Sequence, residues 1–319
     1  MAEKDVVEKT FISLNDVFAD IFNVLVFKGK RVVLENALED MMPISQYKAD
    51  GGKMHEQERD TYKLWRGHGI NLVLVGIENQ TQPDKDMPFR VISYDGASYR
   101  SQLLKMEERV VNGEKKEVPV KERYPVITIV LYFGKECWNY PRNLKDCFYP
   151  VLPEDEVTEV LKDYIQDYKA HIFDIPRMSM ETVRLFQSDF RIVAEHFVNA
   201  YTNPDYVPED ITITHVDEFL KLMKVLTGDN RYEEVARSLT ESEKEEGVKM
   251  CNVLDAREAR GREEGRAEGR AEGRTEGGLI MLITLVKDGT ITIHAAAEKA
   301  KMSEEEFAKL MEQKLYDET

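Results

Sequence analysis

The chain holds few of the residue patterns that announce a chemistry. Its three cysteines, Cys137, Cys147 and Cys251, form no CxxC pair, and three cannot all pair within one chain. Neither a cysteine-based zinc site nor a disulfide framework is therefore predicted, and a reducing cytoplasm is the expected compartment. No apolar stretch approaches the roughly 20 residues that a membrane helix needs, and the opening "MAEKDVVEKTF" lacks the apolar core of a signal peptide. No membrane partner is expected. The six histidines, His55, His68, His171, His196, His215 and His294, are scattered without metal-ligand spacing. GxxxxGK[ST], GxGxxG, HExxH and GxSxG are all missing, which removes nucleotide-loop, zinc-protease and nucleophile-elbow chemistry in their usual forms. Positive charge is also scarce. With 44 Lys and Arg against 60 Asp and Glu, the net charge is −16, which argues against holding DNA by bulk electrostatics.

What is present reads as globular. The chain has 319 residues, 42% hydrophobic and 33% charged, enough for two domains or one large domain with appendages. The acidity is confined to one half. Residues 1–150 carry 22 Lys and Arg against 23 Asp and Glu, and residues 151–319 carry 22 against 37, so the halves have net charges of −1 and −15. A nucleic-acid-facing surface on the first half is thus permitted.

Residues 14–42 carry two apolar-striped segments separated by Lys28-Gly29-Lys30, and both are predicted to be helical. "YKADGGKMHEQ" reads as a polar connection, "RDTYKLWR" as a strand, and "INLVLVGIEN" as a central strand covered on both faces. An amphipathic helix is predicted over about 88–109, with Phe89, Ile92, Tyr99, Leu103 and Met106 as its core positions. "VVNGEKKEVPVKER" suits a loop or short hairpin, and "YPVITIVLYFG" a second apolar strand. This order predicts an α/β core over 14–150, a mixed sheet flanked by helices. Residues 151–250 read as a mainly helical extension, broken at Pro204 and Pro208 and resumed at "VDEFLKLMKVLTG".

Residues 261–277 repeat a four-residue unit, "GREE GRAE GRAE GRTE G". On a helix its i,i+4 neighbours are Arg with Arg and Glu with Glu, each mildly destabilising, and each interior glycine costs roughly 1 kcal/mol relative to alanine. The segment over 257–278 is therefore either a flexible linker or a helix made by pairing with another copy, and a homo-oligomer is one expectation. Residues 279–319 form a small helical tail in which Ser303 and Glu306 have the spacing of a capping box.

One strand end is chemically unusual. Glu78 and Gln80 close the apolar run "NLVLVGI", and in a strand residues i and i+2 point to one face. Asp60, near the start of the preceding strand, could lie opposite them. An Asp and a Glu converging at a strand end offer hard oxygen ligands suited to Mg²⁺, although the plain alternative is two acids at a solvent boundary. "HVDEF" over 215–219 reads as the polar side of a helix.

Three stretches together, "RDTYKLW", "GIENQTQPDKDMPFRVISYD" and "PVITIVLYFGKECWNYPRNLKD", resemble the Rpn family of recombination-promoting nucleases and putative transposases, within the PD-(D/E)XK nuclease superfamily. The likeness runs from about residue 14 to 150 and more loosely to about 240. "NDVFADIFN" also resembles the family's first helix. The resemblance implies a restriction-endonuclease-like αβββαβ core, Mg²⁺-dependent cleavage of DNA, and a role in recombination or mobile elements. It implies that Asp60 and Glu78 are the metal carboxylates and that Gln80 stands where the wider superfamily has a lysine. Asp16 or Asp20 on the first helix, with Arg90 and Tyr94 on the helix after the strand, are implied as supporting residues. An amide can orient water but supplies no charge, so a cation, if needed, comes from Arg59, Lys63, Arg90 or a second metal. Lys63 is three residues past Asp60 and is expected on the opposite side of the strand. The alternative reading is a nuclease fold that binds DNA or assembles without turnover.

Overall fold

The computed structural model describes residues 3–41, 44–48, 54–58, 61–67, 70–111, 114–148, 155–199, 203, 206 and 209–316. The side chains of 3–5, 44–48, 54–58, 70–75, 78, 111 and 314–316 are not among those described. By contact density the chain divides into two units, Met1–Val253 and Leu254–Thr319.

The first unit opens with α1 (Glu3–Ile12) and α2 (Asn15–Leu25). The second apolar segment of this region is not the predicted helix. Lys28 and Gly29 both take left-handed backbone angles, φ 54° and 83°, which end the helical path. Beyond them the Asn23 amide accepts from Val32 N at 2.8 Å and Val33 N at 2.7 Å and donates to the Val33 carbonyl at 2.8 Å. That side chain holds a β-branched pair extended, and the chain runs into a short strand, β1 (Leu38–Asp40). The expected polar connection is a hairpin of β2 (Ile44–Lys48) and β3 (Met54–Glu58).

Next come β4 (Thr61–Gly67) and β5 (Ile70–Gln80), antiparallel neighbours, then α3 (Met87–Leu104). A hairpin of β6 (Met106–Val111) and β7 (Glu114–Pro119) leads into β8 (Val126–Tyr132), which lies parallel to β5. The last strand, β9 (His171–Asp174), lies parallel to β8, giving a five-stranded mixed sheet in the order β1-β4-β5-β8-β9. Along the chain α2, β1, β4, β5, α3 and β8 follow the expected αβββαβ succession, with two hairpins inserted. The helical half supplies α4 (Glu156–Lys162), α5 (Met180–Val183), α6 (Phe190–Asn199), α7 (Val216–Thr227), α8 (Arg231–Ser238) and α9 (Glu241–Glu246). Pro204 and Pro208 lie outside the described residues.

Alternation along the strands sets two layers. Lys63 of β4 is wholly buried towards α2, with its Nζ donating to Asn15 Oδ1 at 2.7 Å and to Asp40 and lying 5.6 Å from the Phe18 ring centre. Val130 and Tyr132 of β8 face the other way and pack with Met87 and Val91 of α3, Trp138, Ala170 and Ile172. The buried stripe of α3 is not the predicted one. Phe89, Tyr99, Leu103 and Met106 are exposed, whereas Met87, Val91, Tyr94, Asp95, Ser98 and Gln102 are buried. The polar members are satisfied. Asp95 accepts from Thr128 Oγ1 at 2.6 Å and from the Tyr168 hydroxyl, and Gln102 binds the Tyr124 backbone at 2.6 and 3.0 Å.

The second unit contains most of α10 (Met250–Lys287), then α11 (Ile293–Ala300) and α12 (Glu304–Tyr316). Ile283, Ala296, Ala297 and Phe307 form its small core. Ser303 and Glu306 make the predicted capping box: Ser303 Oγ donates to Glu306 Oε2 at 2.8 Å and accepts from Glu306 N at 3.2 Å. The Gly-Arg-Glu repeat is helical throughout, within α10.

Candidate functional site

The sheet places position 78 near the end of its central strand. Glu78 pairs with Val130 and Gln80 with Tyr132 in the parallel register between β5 and β8, and the Gln80 carbonyl accepts from Phe133 N at 2.7 Å. Residues paired in this way share a face, so Gln80 belongs to the α3 layer, as Tyr132 does. The Glu78 side chain and all of Asp60 lie outside the described residues. Asp60 immediately precedes Thr61, which pairs with Ile77 of β5. Among the described residues no group of three His, Cys, Asp or Glu side chains is placed to hold a metal ion.

α3 brings the next two candidates to the Gln80 face. Its first turn opens with the Met87-Pro88 of "PDKDMP", Pro88 standing where no amide hydrogen is needed. One turn further, Arg90 Nη1 donates to Asp84 Oδ2 at 3.1 Å, and Arg90 Nη2 donates to the Tyr94 hydroxyl at 3.0 Å. The guanidinium carbon stands 5.9 Å from the centre of the Tyr94 ring. Tyr94 is buried and Arg90 half-buried, so the ring supports a cation that still reaches solvent.

α2 lies across the sheet from these residues and separates the two helix acids. Asp20 is buried, and its Oδ2 accepts from Gln187 N at 2.8 Å, Ser188 N at 2.8 Å and Ser188 Oγ at 2.7 Å. Burial pushes its carboxyl above the ordinary range, partly offset by those donors. Such a residue ties α2 to the turn before α6. Asp16 is half-exposed and meets His215 Nε2 at 2.8 and 2.9 Å. His215 stands at the start of α7, where Asp189, buried and raised above the ordinary range by that burial, accepts from its backbone N at 2.7 Å. The sequence pattern alone puts His215 on the polar side of a helix, whereas the structure pairs it with Asp16. Its partner is 199 residues away, and no local pattern signals the pairing.

Comparison with known protein families gives one match. Residues 61–207 match the family of YhgA-like putative transposases. The match begins at the first residue of β4 and includes Glu78, Gln80, Arg90 and Tyr94. Asp16, Asp20, Asp60 and His215 fall outside it. The YhgA-like segment thus contains β4, β5, α3, β8, β9 and the helices through α6, which are the sheet centre and the Gln80 face. It agrees with the transposase side of the resemblance read from "IENQ", "MPFR" and "PRNLKD". No curated protein and no solved structure matches the chain. Among the described residues no helix is long and apolar enough to cross a membrane.

Proposed function

We propose that the protein is a Mg²⁺-dependent DNA endonuclease of the recombination-promoting type. The reading rests on one observation above all: a segment matching YhgA-like putative transposases has, as its central strand, the one that ends in Glu78-Asn79-Gln80. Asp60 and Glu78 would hold the divalent cation. Bound there, such an ion offers a Lewis acid to a phosphate oxygen and makes its coordinated water more acidic. Gln80 would orient an attacking water through its amide, adding no charge. Arg90 supplies the cation on the same face of the sheet, in the planar fork that suits a phosphate. Lys63 does not, since its ammonium is committed to Asp40 and Asn15 on the other side.

A second reading, a DNA-binding protein of the same fold without turnover, is favoured by the uncharged amide at position 80 and the net charge of −15 on residues 151–319. Plasmid nicking separates the two. Supercoiled DNA should relax in Mg²⁺ with the wild-type chain and stay supercoiled with Asp60→Ala. Equal nicking by both proteins would remove the assigned site. DNA retention without nicking in Mg²⁺ or Mn²⁺, unchanged by Glu78→Gln, would establish the second reading.

A further inference from the structure

The Gly-Arg-Glu repeat forms an uninterrupted helical stretch of α10 on which every residue from 262 to 278 is exposed. A side chain built on Gly265, Gly269, Gly273 or Gly277 would meet nothing. Among the described residues nothing covers these glycines, and no neighbour offsets the helix propensity they lack.

The arrangement of the repeat around the helix specifies what would cover it. At about 100° per residue, a four-residue unit places Gly, Arg, the variable residue and Glu in four stripes. The glycine stripe runs between the arginines on one side (Arg262, Arg266, Arg270, Arg274) and the glutamates on the other (Glu264, Glu268, Glu272, Glu276). Arg266, Arg270 and Arg274 make no ion pair among the described residues, and their i,i+4 neighbours carry the same charge. Continuing the glycine stripe by four residues reaches Met281, which is 64% exposed, and continuing the glutamate stripe reaches Ile280, which is 45% exposed. The seam therefore ends in uncovered apolar surface.

We propose that residues 261–281 are the contact surface for a second copy of this chain, aligned parallel. The glycines face each other, and the arginines of each copy stand over the glutamates of the other. Symmetry selects the direction. A two-fold axis parallel to the helices carries the arginine side of one copy onto the glutamate side of its partner. A two-fold axis perpendicular to them sets arginine against arginine. A stripe that repeats every four residues drifts around a 3.6-residue helix, so the two copies wind about each other in the right-handed sense to keep it facing inward, and residues without side chains let the two backbones approach closely. Met281 then packs against its own copy at the end of the seam. Both copies of residues 1–253 leave the pair at the same end. The proposal does not depend on the nuclease reading.

The full chain tests it. Sedimentation at micromolar concentration should give twice the 36.9 kDa chain mass. The triple variant Arg266→Glu, Arg270→Glu, Arg274→Glu should sediment as a monomer, as should Glu264→Arg, Glu268→Arg, Glu272→Arg. Mixed together, the two should recover the double mass, because each then meets the opposite charge. In a background with all three cysteines changed to serine, Gly277→Cys should form a disulfide-linked dimer on mild oxidation. A monomeric wild type overturns the proposal. So does a dimer that both charge variants keep, and so does cross-linking of Gly261→Cys chains to Gly277→Cys chains without self-linking of Gly277→Cys chains, the antiparallel result.

Discussion

Lys63 carries the sharpest test of the two-layer description. Its side chain is wholly inaccessible, yet its partner Asp40 is 82% exposed. Removing one member of a fully buried pair costs about 3–5 kcal/mol because a charge is left stranded. Removal of the exposed Asp40 carboxylate opens the ammonium to water from that side, so Asp40→Ala should cost less, about 1–2 kcal/mol. Lys63→Met keeps the four-atom stem over Phe18 and removes the charge. Asp40 can then turn to solvent, and replacement of such pairs by a hydrophobe of similar volume is often neutral. Lys63→Met should therefore lie within about 1 kcal/mol of wild type, and Lys63→Ala, which empties the slot, about 3 kcal/mol below it. For a unit of this size about 1 kcal/mol moves the melting midpoint by about 2–4 °C, so urea and thermal unfolding resolve the series. Plasmid nicking by Lys63→Met should match wild type, since the lysine serves the α2 layer. A Lys63→Met chain that folds normally but no longer nicks DNA would refute the assignment of Lys63 to structure. A Met variant less stable than the Ala variant would refute the packing argument.

The two helix acids should part under mutation. Asp20→Ala leaves three part-buried donors of the 187–188 turn without their buried acceptor and should cost about 1–3 kcal/mol in urea unfolding. Asp16→Ala removes a half-exposed pair with His215 and should cost less than about 1 kcal/mol; equal losses would contradict the distinction. Gly134→Ala should be severe by the same assay, because a Cβ there would overlap the hydroxyl of Tyr132, a side chain with no accessible surface; a melting midpoint within about 2 °C of wild type would contradict it. His294 Nδ1 donates to Glu304 Oε1 at 2.5 Å, which raises its pKa above the ordinary 6.5 through the hydrogen bond and the charge. The resulting stability is fully present below 6.5 and is lost as pH rises through the folded value. Glu304→Gln should bring the imidazole titration, followed by NMR, back towards 6.5; an unmoved titration would break the link.

Features set by local chemistry could be read from the sequence. The continuous apolar runs marked β5 and β8, and the Ser303–Glu306 spacing marked a helix start, because strand burial and capping act over a few residues. The β6–β7 hairpin was visible as a break between periodic segments. What failed depended on distant partners. The buried stripe of α3 is hidden in the sequence because Asp95 and Gln102 look like a solvent face until Thr128, Tyr168 and Tyr124 supply their hydrogen bonds. The second helix of the opening region was lost to Asn23, whose amide fixes Val32 and Val33 from ten residues away. At the candidate site, the order Asp60, Glu78, Gln80 is a property of sequence spacing, whereas the division of Gln80, Arg90 and Asp16 between two faces follows from register.

Register also connects the missing charge at position 80 with the buried one at position 63. Lys63 pairs with Val75 and Tyr62 with Gly76, so alternate positions of β5 serve opposite layers. A slip of one residue between β4 and β5 would exchange every side chain between those layers. It would push the Lys63 ammonium away from Asp40 and Asn15 into the apolar contacts of Tyr62, Leu64 and Val126, where an unpaired charge is strongly unfavourable. The lysine that is on the wrong face to act beside Gln80 is thus a residue that holds β4 in register with β5. Lys63 cannot fix the register from the α2 side and also serve a phosphate on the α3 side, and Arg66 of the same strand is paired with Glu39. Here Lys63 does the first, and the chemistry proposed for the second falls to Arg90.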